Sequence, residues 1–241
     1  MFANALAASK LTVGQKSVIA EKLSGLVGKY QAEDISSNMI FFDMPKRSNS
    51  QIIYNIDAIE KAIKEGMQIS FKYFSLDENK QRVYRKDGAR YIVNPLVMVW
   101  NRDNYYLVCY HDNHDGIANY RMDRIENVRV EITPVTPRPE LSSFSVEKYR
   151  KQVFSMFGGE LKHIELQFER DMLDDIYDKF GEDIKIQKTS DDSFKFNAEI
   201  QISPTFFSWL AGTRGKVKIL TPNTVREQFE DFVKEISKSY I

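Results

Sequence analysis

Two arginines three residues apart, Arg121 and Arg124, flank Asp123 near the end of an extended segment. A guanidinium presents a planar fork of donors that matches a phosphate or carboxylate, and tyrosine rings offer faces on which a base can stack. Tyr73, Tyr105 and Tyr106 are the rings that join such a pair if the fold brings them to one end of a sheet. With Asp123 they make a candidate ligand-binding set for a nucleotide or a short single strand. The competing account is plainer. Arg124 pairs with Asp123 or Glu126 on the surface, which is worth little energetically. Tyr106 and Leu107 alternate along a strand, so one of them goes to the core whatever the function. Lys72, Arg82, Arg85 and Arg90, with Lys80 and Lys86, crowd one short stretch. A solvated hairpin loop is the default for such a run, and an electrostatic approach surface for phosphates is the alternative.

Other constellations carry less. His111, Asp112 and His114 have a metal-ligating spacing, but no cysteine or third histidine lies nearby, and these are ordinary turn residues. Cys109 sits inside the apolar run Leu107–Tyr110 and reads as a packed thiol rather than a nucleophile. The chain has no Gly-x-Ser-x-Gly, no glycine-rich phosphate loop and no dinucleotide fingerprint. Asp174-Asp175 and Asp191-Asp192 are best explained by solvation. The expectation is a protein that is not an enzyme and needs neither a cofactor nor a resident metal.

Bulk properties agree with an ordinary globular protein. The 241 residues are 42% hydrophobic and 28% charged, with 34 basic and 34 acidic side chains. Overall charge therefore argues neither for nor against an anionic partner. No apolar run is long enough to span a bilayer and no secretion signal opens the chain. A single cysteine excludes an internal disulfide framework and fits a reducing compartment. A cytoplasmic location without membrane contact is expected.

The elements that would position these residues can be read from periodicity. To about residue 30 the pattern is helical, with a Thr12–Gln15 capping box and a Val18, Ile19, Leu23, Leu26, Val27 stripe. Met1–Asn4 enter directly into helix-compatible sequence, as if a preceding element had been cut away. Residues 31–54 are irregular. Asn55 is placed to cap a short helix that Gly66 ends. A period of two then takes over, with Ile69, Phe71 and Tyr73 on one face. Asp87-Gly88 marks a turn. Strands follow at Tyr91–Trp100, Tyr105–Tyr110, Ile117–Met122 and Val128–Ile132. Five short strands joined by hairpins predict a small, strongly curved barrel. Pro134, Pro137 and Pro139 set a boundary near residue 140. Beyond a helix at about 145–156, the order β-α-β-β-α-β with a trailing helix predicts a split βαβ, ferredoxin-like sandwich. The fold class is α+β, two different modules in series.

Tyr105-Tyr106-Leu107 opening one strand, and Tyr120-Arg121-Met122-Asp123-Arg124-Ile125 ending the next, resemble the signature of the WYL-domain family. Tyr105 stands where that signature has Trp, Tyr120 where it has Phe, and Met122 where it has Leu. Tyr73 and Asn94-Pro95 support the likeness, and Phe144–Gly158, Ile164–Phe168, Trp209-Leu210 and Lys216–Pro222 look like the family's C-terminal extension. The resemblance implies a bacterial transcription regulator with an Sm-like or SH3-like barrel. It divides the chain into a helical linker and dimerisation segment (1–54), the WYL barrel (55–140) and a ferredoxin-like extension (141–241). It further implies a homodimer, a nucleotide or nucleic-acid effector held by the Arg/Tyr set, and DNA contact through a winged helix-turn-helix absent from this sequence. Two other readings stay open: a stand-alone RNA- or single-strand-binding module, and an interaction scaffold without a small ligand.

Overall fold

The computed structural model describes residues 52–101 and 104–240. The helix expected up to residue 30, nearly all of the 1–54 segment, and Arg102 and Asp103 lie outside the described residues.

Helix α1 (Ile52–Glu65) lays Ile59 and Ala62, both fully buried, on the first sheet. Its apolar spacing is as the sequence implies, and Gly66, at φ +65°, ends it. Asn55 does not cap it. The helix is already running at Ile52, and Asn55, 4% exposed, donates its Nδ2 to the Ile125 carbonyl at 3.1 Å, tying the helix to the sheet.

The first sheet contains β1 (Met67–Leu76), β2 (Arg82–Tyr84), β3 (Tyr91–Asn101), β4 (Asn104–Tyr110), β5 (Ala118–Arg121) and β6 (Ile125–Pro134). Its order is β2-β1-β3-β4-β5, with β6 also pairing β1. Every pairing is antiparallel. The sheet curls into a half-barrel. The pairings do not join β5 to β6, which are linked instead through a 3-10 turn at Met122–Arg124. The expected full closure is thus replaced by an open seam beside the candidate arginines. The hairpin loop expected around residues 80–86 also holds a short strand, β2, set opposite Phe74–Leu76. Three residues with a Lys-Asp-Gly turn behind them give too little alternation to reveal a strand.

Ile69, Phe71 and Tyr73 turn inward as their spacing predicts, joined by Tyr91, Val93, Leu107, Met122 and Ile125. Fully burying a residue such as Phe71 or Leu107 contributes roughly 1.5–3 kcal/mol. The outer face of β3 and β4 is also covered. Val108, with Val97, Val99 and Tyr106 beside it, packs on Tyr149, Val153 and Met156.

Those last residues belong to α2 (Val146–Gln152) and the segment after it, where Ser145 caps the helix by accepting from the Lys148 N–H. The second sheet follows, with β7 (Glu160–Glu169), α3 (Leu173–Phe180), β8 (Gln187–Lys188), β9 (Ser193–Ile202), α4 (Pro204–Gly212), β10 (Val217–Thr221) and α5 (Asn223–Lys238). Its order is β10-β7-β9-β8, again antiparallel. One face is packed with Leu166, Phe168, Phe180, Phe196 and Phe206. The other carries Lys195–Glu165 and Lys148–Glu199 ion pairs. The strand expected over 183–188 shrinks to Gln187–Lys188.

Candidate ligand-binding site

The four residues of β5 decide the geometry. Ala118 and Tyr120 pack against the half-barrel core. Asn119 and Arg121, alternating with them, stand in register with Val108 and Tyr106 of β4 on the outer face. The chain then leaves the strand in the Met122–Arg124 turn, which carries Met122 and Asp123 into the interior. The Asp123 carboxylate, 2% exposed, receives Arg121 Nε at 3.0 Å and Nη2 at 2.7 Å, a two-pronged charge-assisted pair. Arg121 Nη2 also donates to Asn104 Oδ1 at 2.9 Å. The bond to Asp123 raises the Arg121 pKa above its ordinary value.

Arg124 is differently placed. The two carboxylates that could have neutralised it on the surface are engaged elsewhere. Asp123 holds Arg121, and Glu126 holds Arg82 and the Tyr84 hydroxyl. Arg124 Nε is buried with no hydrogen-bond acceptor among the described residues. Tyr73, also buried, accepts the Arg121 backbone N–H on its hydroxyl at 3.3 Å. Burial raises the Tyr106 pKa, and its hydroxyl feels the charges of Arg121, Asp123 and Arg124. Five of the six candidate residues, Tyr73, Tyr106, Arg121, Asp123 and Arg124, therefore converge.

Tyr105 does not join them. Alternation sends it to the opposite side of β4, where its ring meets Trp100 at 4.6 Å and packs toward α1. The candidate basic surface also divides. Arg90 is a structural tie, donating to Ser70 Oγ at 2.9 Å, the Ser70 carbonyl at 2.8 Å and the Asn127 carbonyl at 2.6 Å, and burial lowers its pKa. Arg82 pairs with Glu126 and covers the Phe74 ring. Lys72 lies 5.4 Å from the Tyr84 ring centre. Arg85 alone of the four reaches the site, 5.4 Å over the Tyr73 ring. Beside it, Lys86 lies 4.3 Å over Tyr91. By sequence Lys86 belongs only to a charged loop. Its role depends on its left-handed backbone at φ +52°, for which a lysine codon gives no signal.

His111 uses Nε2 to meet the Tyr120 hydroxyl at 2.8 Å, and no cluster of three metal-ligating side chains occurs among the described residues. Cys109 is fully buried, which pushes its thiol pKa far up, as expected for a packed thiol.

Comparison with known proteins places this architecture. Residues 54–130 match the family model described as WYL domain. The chain carries a WYL domain. Among solved structures, proteasome accessory factor B/C (PafBC) of Arthrobacter aurescens is 21% identical over 78% of this chain and 27% of its own, with a TM-score of 0.34. A CRISPR Cas-related protein is 13% identical over 95% of this chain and 74% of its own, with a TM-score of 0.46. The chain thus spans about a quarter of the length of PafBC. No curated protein matches it. No helix among the described residues is long and apolar enough to cross a membrane.

The candidate residues lie close to the second module rather than on a remote face. Two residues before Arg121, Asn119 Nδ2 donates to the Tyr149 hydroxyl of α2 at 2.8 Å. Tyr149 is 3% exposed, and burial pushes its pKa up to about 12. Neither Asn119 nor Asn104 stands out in the sequence. Each matters because strand register sets it next to an arginine or a tyrosine.

Proposed function

We propose that this chain is the effector-sensing region of a WYL-type transcription regulator, a non-catalytic protein of the cytoplasm. Its effector is an anionic, nucleotide-like molecule or a short single strand, held at Arg124, Arg121, Arg85, Tyr73 and Tyr106. The observation that carries this reading is the buried Nε–H of Arg124, which lacks an acceptor among the described residues. A buried donor left unmade costs about 1–3 kcal/mol, so such a group needs a reason, and a phosphate oxygen at the seam supplies one. Arg121 directs Nε and Nη2 at its neighbours, which fixes the plane of the fork and leaves Nη1 to meet the same anion.

In this reading the half-barrel is Sm-like. The sheet order β10-β7-β9-β8, the fourth strand beside the first, supports a ferredoxin-like extension. The regulator works as a homodimer whose DNA contact falls to a winged helix-turn-helix outside residues 1–241. Occupancy must favour one dimer arrangement over another for a signal to pass.

Arg85 and Lys86, lying over tyrosine faces, favour a second reading, a stand-alone module for RNA or single strands. Titration of short single-stranded DNA and of single nucleotides by calorimetry separates the two. An effector site saturates with a nucleotide, whereas a strand module gains affinity with length. Arg124→Ala is expected to weaken either ligand about tenfold or more, equivalent to a charged hydrogen bond. Unchanged affinity in that variant would remove the site. Absence of any heat or melting shift with both ligands would leave an interaction scaffold.

A further inference from the structure

Where β5 passes into β6, an arginine followed two residues later by an acid occurs twice, as Arg121 with Asp123 and as Arg124 with Glu126. The first pair closes on itself, Arg121 gripping Asp123 through Nε and Nη2. That bond shows that this spacing lets a carboxylate reach a guanidinium here. The second pair stays open. Glu126 gives its oxygens to Arg82 and Tyr84 of β2, and Arg124 Nε is left without an acceptor among the described residues.

The construction of β2 accounts for the difference. It is three residues long and buries none of them, so packing does not explain it. Alternation puts Arg82 and Tyr84 on one face and leaves Val83, 49% exposed, on the other. Phe74 of β1 sets both side chains. The Arg82 guanidinium lies 4.7 Å over its ring, and the Tyr84 ring meets it edge-on at 6.2 Å. From there Arg82 Nη1 donates to one Glu126 oxygen and the Tyr84 hydroxyl to the other. The Tyr84 pKa is raised, first of all by that bond. The Glu126 side chain is only 13% exposed. A carboxylate so enclosed needs partners, and without β2 the guanidinium nearest in sequence is that of Arg124.

We propose that β2 is a positioning element for the anion site: Arg82 and Tyr84 hold the Glu126 carboxylate away from Arg124, which keeps that guanidinium open to an incoming phosphate. The inference rests on the site proposed above and gives Arg82 a role that needs no contact with the ligand. Released from β2, Glu126 competes with the phosphate for the same donors, and its uncompensated charge lowers the local attraction for anions.

The probe is a short oligothymidylate, titrated by calorimetry into the whole chain. Arg82→Met keeps an apolar stem over Phe74 and removes the fork, and is expected to weaken binding about fivefold to tenfold. Tyr84→Phe, which removes one of the two bonds, is expected to weaken it about twofold. Adding Glu126→Gln to Arg82→Met is expected to bring affinity back to within about twofold of the parent, because the amide no longer competes as an anion. Val83→Ala, on the opposite face, is expected to leave affinity unchanged. A loss in Arg82→Met that Glu126→Gln does not rescue overturns the proposal, because Arg82 then touches the anion itself. Unchanged affinity in Arg82→Met overturns it as well. The Arg124 Nε–H resonance in nitrogen–proton correlation spectra, assigned by its loss in Arg124→Lys, reads the same device without ligand. It is expected to move in Arg82→Met and to return in the double variant. If the parent chain does not bind the oligothymidylate while this resonance moves and returns, the anion site falls and the hold on Glu126 stands. A resonance that stays in place in Arg82→Met overturns the hold, whatever the binding.

Discussion

Arg121 and Arg124 look equivalent in sequence, and their partners make them opposite in role. Asp123 is buried with Arg121 as its charge partner, so removing the carboxylate leaves a guanidinium half-enclosed without its anion. Asp123→Ala is expected to cost about 2–3 kcal/mol, below the usual range for a broken buried pair because 30% of the Arg121 side chain stays in solvent. Chemical denaturation measures this. Arg124→Ala in the same assay should cost far less, because a ligand site loses binding while a structural pair loses stability.

His111 supplies a pH dependence at the same scale. Burial lowers its pKa first, then the positive charge of Lys86 and the neighbouring His114, while Asp112 acts in the opposite sense. Tyr91 and Tyr120 complete its surroundings. A base whose pKa is lower folded than unfolded takes its proton later in the native state. Its stabilising share is therefore whole above the unfolded value of about 6.5 and is lost as pH falls through the folded value. The urea midpoint should drop between about pH 7.5 and 5.5, and His111→Gln should flatten that drop. The sequence offers His111 only as a turn residue with metal-ligating spacing, and its partner Tyr120 is not legible there, because the two meet only across the hairpin.

At the scale of elements, the strands legible from alternation were those with one buried face, such as Ile69, Phe71 and Tyr73. Beyond them, β2 depends on pairing with a long neighbour and carries no pattern of its own, and of the strand expected over 183–188 only the two residues paired with β9 remain. The point where β7 begins shows how tight that pairing is. A Cβ built on Gly159 would lie 1.8 Å from the Ile202 carbonyl oxygen, a backbone atom that cannot rotate away. Gly159→Ala must therefore push β7 from β9 over their first rungs. A loss of about 3 kcal/mol is expected, with amide exchange quickening first at Glu160–Lys162.

At the scale of the molecule, β5 belongs to both modules. Arg121 at its end holds the candidate site, and Asn119 in its middle touches α2 through Tyr149. Tyr149→Phe should cost about 1–2 kcal/mol of stability in denaturant, because the hydroxyl both accepts from Asn119 Nδ2 and donates to Asn119 Oδ1. In hydrogen exchange, single-stranded DNA should protect α2 amides in the parent chain, and that protection should shrink in Tyr149→Phe while affinity holds. Two sheets, one after the other along the chain, were legible from the change in periodicity. Their docking was not, because Val108, Val153 and Met156 are apolar residues like any others until the sheet curls.

The proline-rich stretch after β6 reads as a tether, yet it is stitched to what precedes it. The Val135 N–H donates to the Gly66 carbonyl at 2.9 Å and the Thr136 N–H to Asn94 Oδ1 at 2.8 Å. The Tyr110 hydroxyl donates to the Thr136 carbonyl, and Arg138 Nη2 reaches the His111 and His114 carbonyls. A barrel severed at Thr133 would take from the wholly buried Asn94 one of the two donors to its Oδ1, leaving Gln68 Nε2 alone there. The natural cleavage line between the halves runs after Arg138, and a protease admitted to the folded protein would have to melt the rim before it could part them there.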